Sequence, residues 1–187
     1  MLQGERVVLR AVERADLKRL HELERNVELV LLGDGAWQPV PLAKWEKNFD
    51  KQLDDEEQTS FVIEVDGTVI GGLGLHHRSR RSGVTSFGIG IYDPDYLGKG
   101  YGRDAIETLL GWVFRIQNYR RIWLETSASN ERAIRCYKAV GFVEEGRLRK
   151  HEFFDGTYID SIMMGLLRSE WEARGATSST LRVQSDG

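Results

Sequence analysis

One cysteine, Cys136, stands in 187 residues, so no disulfide can close within the chain. That fits a reducing compartment. A lone thiol and four histidines give no Cys/His spacing of the zinc-binding kind, and no metal is expected. No apolar run reaches the roughly 18 residues of a membrane span. Gln3, Glu5 and Arg6 stand where a secretory leader would be apolar. Positive charge is not in excess: 26 Lys and Arg face 29 Asp and Glu, a net charge of −3. Nothing in that balance suggests a nucleic-acid surface. Arg78, Arg80 and Arg81 cluster between strand-like runs and read as a solvated loop. No internal repeat is present. The expectation is a soluble cytoplasmic protein acting on neither membranes nor nucleic acids.

What is present suits a globular domain: 41% hydrophobic and 29% charged residues, with enough length for one core. We place a single domain at 1–170. Residues 171–187 form a C-terminal tail, expected to be flexible, because from Arg174 onward the chain is polar and small.

The chain is organised around Tyr92-Asp93-Pro94-Asp95-Tyr96-Leu97-Gly98-Lys99-Gly100-Tyr101-Gly102-Arg103. An apolar run, Ser86 to Tyr92, precedes it and reads as a strand. After it, Ile106, Leu109, Leu110, Val113 and Phe114 fall on one face of a helix. The first turn of a helix carries amides without intrahelical partners, and the peptide dipoles add partial positive charge there. Glycines let a phosphate approach the main chain and tolerate positive φ. With Lys99 and Arg103 adding cations, the segment reads as a phosphate cradle; a plain tight turn is the alternative.

A P-loop requires Ser or Thr after the lysine, and Gly100 stands there instead. Gly100 to Ala105 fits the G-x-G-x-x-A of a dinucleotide site, with Glu125 near the acidic spacing. That fingerprint should follow its strand at once, whereas Asp93 to Leu97 intervenes.

Elsewhere, Glu5–Arg10 reads as a strand, Asp16–Glu24 as a helix, and Asn26–Pro41 as irregular. A helix starts near Leu42, with Trp45 read as core and Trp37 as core or pocket lining. Asp66-Gly67 joins two strands in a hairpin. Arg121–Thr126 is a short strand that should run parallel to the one ending at Tyr92. Asn130 offers a cap to a helix from Glu131 to Val140, which Gly141 closes. A last hairpin turns at Asp155-Gly156.

Gly100-x-Gly102 after a proline-containing turn resembles the Q/R-x-x-G-x-G/A loop of the GNAT superfamily of N-acetyltransferases, with Leu97 where that family often has Gln or Arg. One strand later, Asn130-x-x-Ala133-x-x-x-Tyr137, followed by Gly141-Phe142, is similar to the family's second element. Arg6 to Asp16 and Phe154-Asp155-Gly156-Thr157-Tyr158 resemble the branch of ribosomal-protein N-terminal and diamine (spermidine) acetyltransferases.

The resemblance implies an α+β fold. Its mixed, mostly antiparallel sheet would have six or seven strands, splay at the central parallel pair, and carry about four flanking helices. It implies acetyl-CoA as co-substrate and direct attack by a primary amine in a ternary complex. Ile89, Gly90 and Ile91 would offer backbone groups to the pantetheine arm. Backbone amides of Leu97, Gly98, Lys99, Gly100, Tyr101, Gly102 and Arg103 would hold the pyrophosphate. Asn130 would contact pantetheine, or serve only as a cap. Tyr137 would protonate the departing thiolate; the same spacing also suits a core tyrosine. Glu125, ending the strand beside the splay, is the candidate base, or a plain surface carboxylate. His76 and His77 end another strand. Cys136 reads as a small buried hydrophobe.

The acceptor is an amine on a peptide N-terminus, a polyamine or another small molecule, and a homodimer is implied. Two other functions stay open: an acyl-CoA-binding sensor without turnover, and a dinucleotide-binding oxidoreductase.

Overall fold

The computed structural model describes residues 1–34, 37–55 and 59–175. Its strands are β1 (Leu2–Gln3), β2 (Val8–Ala11), β3 (Thr59–Val65), β4 (Thr68–Ser79), β5 (Val84–Ile91), β6 (Arg121–Ser127), β7 (Val143–Phe154) and β8 (Thr157–Leu167). They form one sheet in the order β1-β2-β3-β4-β5-β6-β8-β7. The helices are α1 (Asp16–Leu23), α2 (Val27–Asp34), α3 (Leu42–Leu53), α4 (Tyr101–Gly111), α5 (Glu131–Val140) and α6 (Arg168–Ala173). The expected mixed α+β sheet is found, with eight strands and six helices among the described residues.

Every pairing is antiparallel except β5 with β6, which is parallel. That pair meets only at Val84↔Arg121, Thr85↔Ile122 and Ser86↔Trp123. β5 continues to Ile91 while remaining paired to β4, and β6 continues to Ser127 while paired to β8. The two central strands therefore part beyond Ser86 and Trp123, and a V-shaped gap opens in the sheet.

The helical period read after the glycine turn builds α4, and Ile106, Leu109, Leu110, Val113 and Phe114 are all buried. The helix ends in a π-helical turn, Trp112–Ile116. Its inner face joins Val7, Leu9, Ile63, Ile122, Leu124 and Met164 in one continuous core.

β4 and β5 approach closely at two glycines. A Cβ at Gly71 would lie 2.0 Å from the carbonyl oxygen of Gly90. One at Gly90 would lie 2.2 Å from Cζ of Tyr92, whose ring folds back over the strand. No side chain fits at either place without moving main chain or ring.

Two expectations change. Val27–Asp34, read as irregular, forms α2. Its apolar residues run all round rather than along one stripe, so the periodic signal was missing. At the C-terminus, α6 carries Trp171 into the core against Phe114, ring centroids 5.3 Å apart, inside the span assigned to the tail. Packed structure thus reaches past the 170/171 boundary; residues 176–187 lie outside the described residues.

Candidate active site

The glycine turn is held from both sides. Asp93, two residues past β5, caps a short 3₁₀ turn, Pro94–Tyr96, by accepting from the Asp95 amide at 3.0 Å. Arg19 of α1 donates to the same carboxylate at 2.5 Å and to the Val69 carbonyl at 3.1 Å, tying α1 to the turn. On the other side, Asp104 in the first turn of α4 accepts the amides of Glu5, Arg6 and Val7 at 3.1, 2.8 and 2.9 Å. Its negative charge is thereby consumed by the N-terminal hairpin. The Arg6 guanidinium donates to the Lys99 carbonyl and lies 4.3 Å from the centre of the Tyr101 ring.

Gly98 and Gly100 have φ of +71° and +89°, the left-handed region that glycine alone enters freely. The Leu97 amide is already taken by the Pro94 carbonyl at 3.3 Å, so Leu97 drops out of the expected set of donors. The amides of Gly98, Lys99, Gly100, Tyr101, Gly102 and Arg103 have no hydrogen-bond partner among the described residues. The first α4 amide to find one is Asp104, which donates to Gly100 at 3.1 Å. Unpaired amides at a helix start suit an anion, and a diphosphate fits here.

A cavity of about 840 Å³ runs from this turn into the splay. Ile89, Gly90, Ile91, Glu125, Asn130 and Tyr137 line it, as do the glycine-turn residues except Lys99. On the side facing the gap, β5 from Phe87 to Ile91 has no strand partner among the described residues. An extended amide-bearing arm could add there as a strand does. Asn130 acts as the cap of α5, its Oδ1 accepting the Ala133 amide at 3.1 Å, while it also borders the cavity.

Tyr137 is 8% exposed, and its ring stands perpendicular to Phe87 with centroids 6.2 Å apart. Burial, then the neighbouring Cys136 and Tyr92, push the phenol well above its ordinary value. It is therefore protonated at neutral pH and carries a proton to donate. Cys136 also borders the cavity although it precedes Tyr137 on the helix, and burial raises its thiol. A thiol held protonated is a poor nucleophile.

Glu125 borders the cavity on β6, and its Oε1 lies 3.6 Å from Nε2 of His151. His151 comes from β7, where the register shifts between Leu148 and Glu152. Its place beside Glu125 was not legible, since 26 residues and a bulge separate them. The ring of His76, though exposed at its edge, borders the cavity against Gly88. Partial burial and the adjacent His77 lower its pKa, so it is neutral at pH 7. His77 points elsewhere, stacked on Trp123 at 5.5 Å and paired with the Ser86 hydroxyl at 3.0 Å.

The remaining wall was missed in sequence. Trp45, expected in the core, is half-buried and borders the cavity. Trp37 does neither; it is 37% exposed and donates to the Glu24 carbonyl at 3.1 Å. Among the described residues no cluster of His, Cys, Asp and Glu could hold a metal ion. No helix there is long and apolar enough to cross a membrane.

Comparison with known proteins places this geometry. The model of the acetyltransferase (GNAT) domain matches residues 6–143. Spermidine N(1)-acetyltransferase of Vibrio cholerae is 31% identical over 169 residues, covering 88% of this chain and 95% of that protein. A crystal structure of spermidine N-acetyltransferase from Vibrio cholerae, in complex with CoA and spermine, superposes with a TM-score of 0.83 at 30% identity. It covers 90% of this chain and 99% of that one. The N-alpha-acetyltransferase RimI of Mycobacterium tuberculosis is 28% identical over 151 residues, 79% of this chain and 85% of that protein.

Proposed function

The chain belongs to the GNAT acetyltransferase family and is an acetyl-CoA-dependent N-acetyltransferase, and from that premise we propose how its residues divide the reaction. The six amides from Gly98 to Arg103, without a partner among the described residues, receive the diphosphate of acetyl-CoA. The open side of β5 at Ile89, Gly90 and Ile91 pairs with the pantetheine arm, which brings the thioester into the splay. Asn130 closes that arm at the start of α5.

The neutral amine attacks the thioester carbonyl carbon directly. A carbon–nitrogen bond forms, the carbon–sulfur bond breaks, and the thiolate takes the phenol proton of Tyr137. The ammonium proton leaves through Glu125, and water restores the phenol. No proton is gained or lost overall. Such donation and removal are each worth about 10²- to 10⁴-fold in rate. The acceptor class is a primary amine, on a polyamine, a peptide N-terminus or another small molecule.

The observation that carries this reading is the row of amides, partnerless among the described residues, opening onto a cavity that Tyr137 borders. Release of free thiol from acetyl-CoA over a panel of amines tests it. Binding of coenzyme A without turnover would favour a sensor, and tighter binding of NAD(P) would favour an oxidoreductase.

We also read self-association through the last hairpin. Val143, Leu148, Phe153 and Tyr158 are 55%, 39%, 59% and 64% exposed there, on the edge strand and its neighbour. A sedimentation experiment giving a monomer at micromolar concentration would remove it.

A further inference from the structure

The cavity has a second wall that the acetyl-CoA end does not use. Val12, Leu20, Leu29, Trp45, Phe49 and Phe61 border it, each half-buried, with apolar surface turned to the cavity. They come from the residue after β2, from α1, α2 and α3, and from β3. α2 packs against β5 and β6, the strands that part, so this wall is continuous with the splay.

Its charge is sparse. On the part built by α1, α2 and α3, Glu24 is the one charged side chain among the described residues, with Asn48 and Gln52 as polar neighbours. A linear polyamine carries an ammonium at nearly every nitrogen, and each must be paired or stay in water to avoid a desolvation penalty. Among the described residues this wall offers a chain of several cations one carboxylate besides Glu125 at the splay. Aromatic faces could hold a cation instead, but the guanidinium of Arg14 already lies 5.3 Å from the centre of the Phe49 ring. Trp45 is committed edge-on to His21 at 5.8 Å, and Phe61 to Trp112 at 5.5 Å. Apolar walls of this kind gain by burying hydrocarbon.

We propose that the acceptor is a small primary amine on a short arm with an aromatic or branched aliphatic body, the body lying against this wall and the amine reaching the splay beside Glu125. The proposal rests on the transferase reading above and narrows its acceptor. It sets this chain apart from the spermidine acetyltransferases it resembles.

The test is steady-state thiol release at saturating acetyl-CoA with 2-phenylethylamine, 3-methylbutylamine, spermidine and a peptide bearing N-terminal Phe. The expected kcat/KM for 2-phenylethylamine exceeds that for spermidine at least ~10-fold. Phe49→Ala should lower it ~10-fold while leaving the Kd for coenzyme A unchanged. Phe49→Glu, at a half-exposed position that accepts charge, should move the preference toward spermidine. Preference for spermidine in the unmodified chain overturns the proposal, as does an amine preference indifferent to both substitutions. Preference for the peptide overturns the small-molecule assignment. If coenzyme A binds but no amine releases thiol, the transferase reading falls and takes this proposal with it. Turnover with spermidine alone sinks the proposal and leaves the transferase intact.

Discussion

The ring of Tyr137 meets that of Phe87 at 90°, edge to face, with centroids 6.2 Å apart. Phe87 lies one residue past the last position of β5 paired with β6, so this contact seats the phenol where the sheet opens. Packing belongs to the ring and proton donation to the hydroxyl. Tyr137→Phe keeps the first and deletes the second. The expected result is a kcat at least ~100-fold lower with the acetyl-CoA KM within about threefold. Because burial raises the phenol, kcat should show no alkaline decline below about pH 10, the ordinary phenol value. A pH–rate profile falling near pH 8 would assign the proton donor to another group.

Gly100 begins α4 at φ +89°, and a Cβ there would approach Nη1 of Arg6 at 3.3 Å. Left-handed backbone costs a non-glycine residue roughly 1–2 kcal/mol, more when β-branched. The turn should relax and misplace its amides. Gly100→Val is expected to raise the Kd for coenzyme A at least ~10-fold, measured by calorimetry, with an unchanged far-ultraviolet spectrum. Unaltered affinity in a folded protein would take the diphosphate away from this turn.

Glu125 and His76 both border the cavity, one a carboxylate and the other a neutral imidazole. If Glu125 takes the amine proton, Glu125→Gln lowers kcat/KM for the acceptor ~100-fold and leaves the acetyl-CoA KM alone. A loss under threefold, with a large loss in His76→Gln, would move the role to His76.

Asp16 receives two guanidinium hydrogen bonds from Arg10, at 2.7 and 2.9 Å, and the Glu13 amide at 2.8 Å. The Arg10 contacts hold its carboxyl below the usual value, against the opposing pull of burial. A depressed folded pKa means stabilisation that is present above the unfolded value of about 3.9 and lost as pH falls through the folded one. Asp16→Asn should cost about 2 kcal/mol at pH 7. In urea melts, the gap to the unmodified chain should narrow below about pH 4. A gap independent of pH would mean the pair contributes packing rather than charge.

What could be read from sequence was local. The order strand, glycine turn, helix is written in consecutive residues, and so are the cap at Asn130 and the stop at Gly141. The splay followed from the resemblance, since no residue pattern announces where pairing between β5 and β6 stops. α2 escaped because an all-round apolar helix lacks the stripe that periodicity detects. The wall holding Trp45 and Phe49 escaped because a helix face can meet a core or a cavity with the same spacing, and only docking decides. Leu97 borders the cavity as expected, but its amide is taken by the Pro94 carbonyl within the 3₁₀ turn that the Asp93 cap starts.

At Gly71 the main chain of one strand touches that of the next, leaving 2.0 Å for an atom that cannot be there. Laboratory evolution of this enzyme toward new acceptors will therefore find that position closed to every other amino acid. Room for diversification lies on the three helices facing the cavity, where side chains can change without displacing backbone. Selectivity and cofactor capture are thus carried on separately mutable parts of the molecule, and a library confined to those helices should alter one while sparing the other.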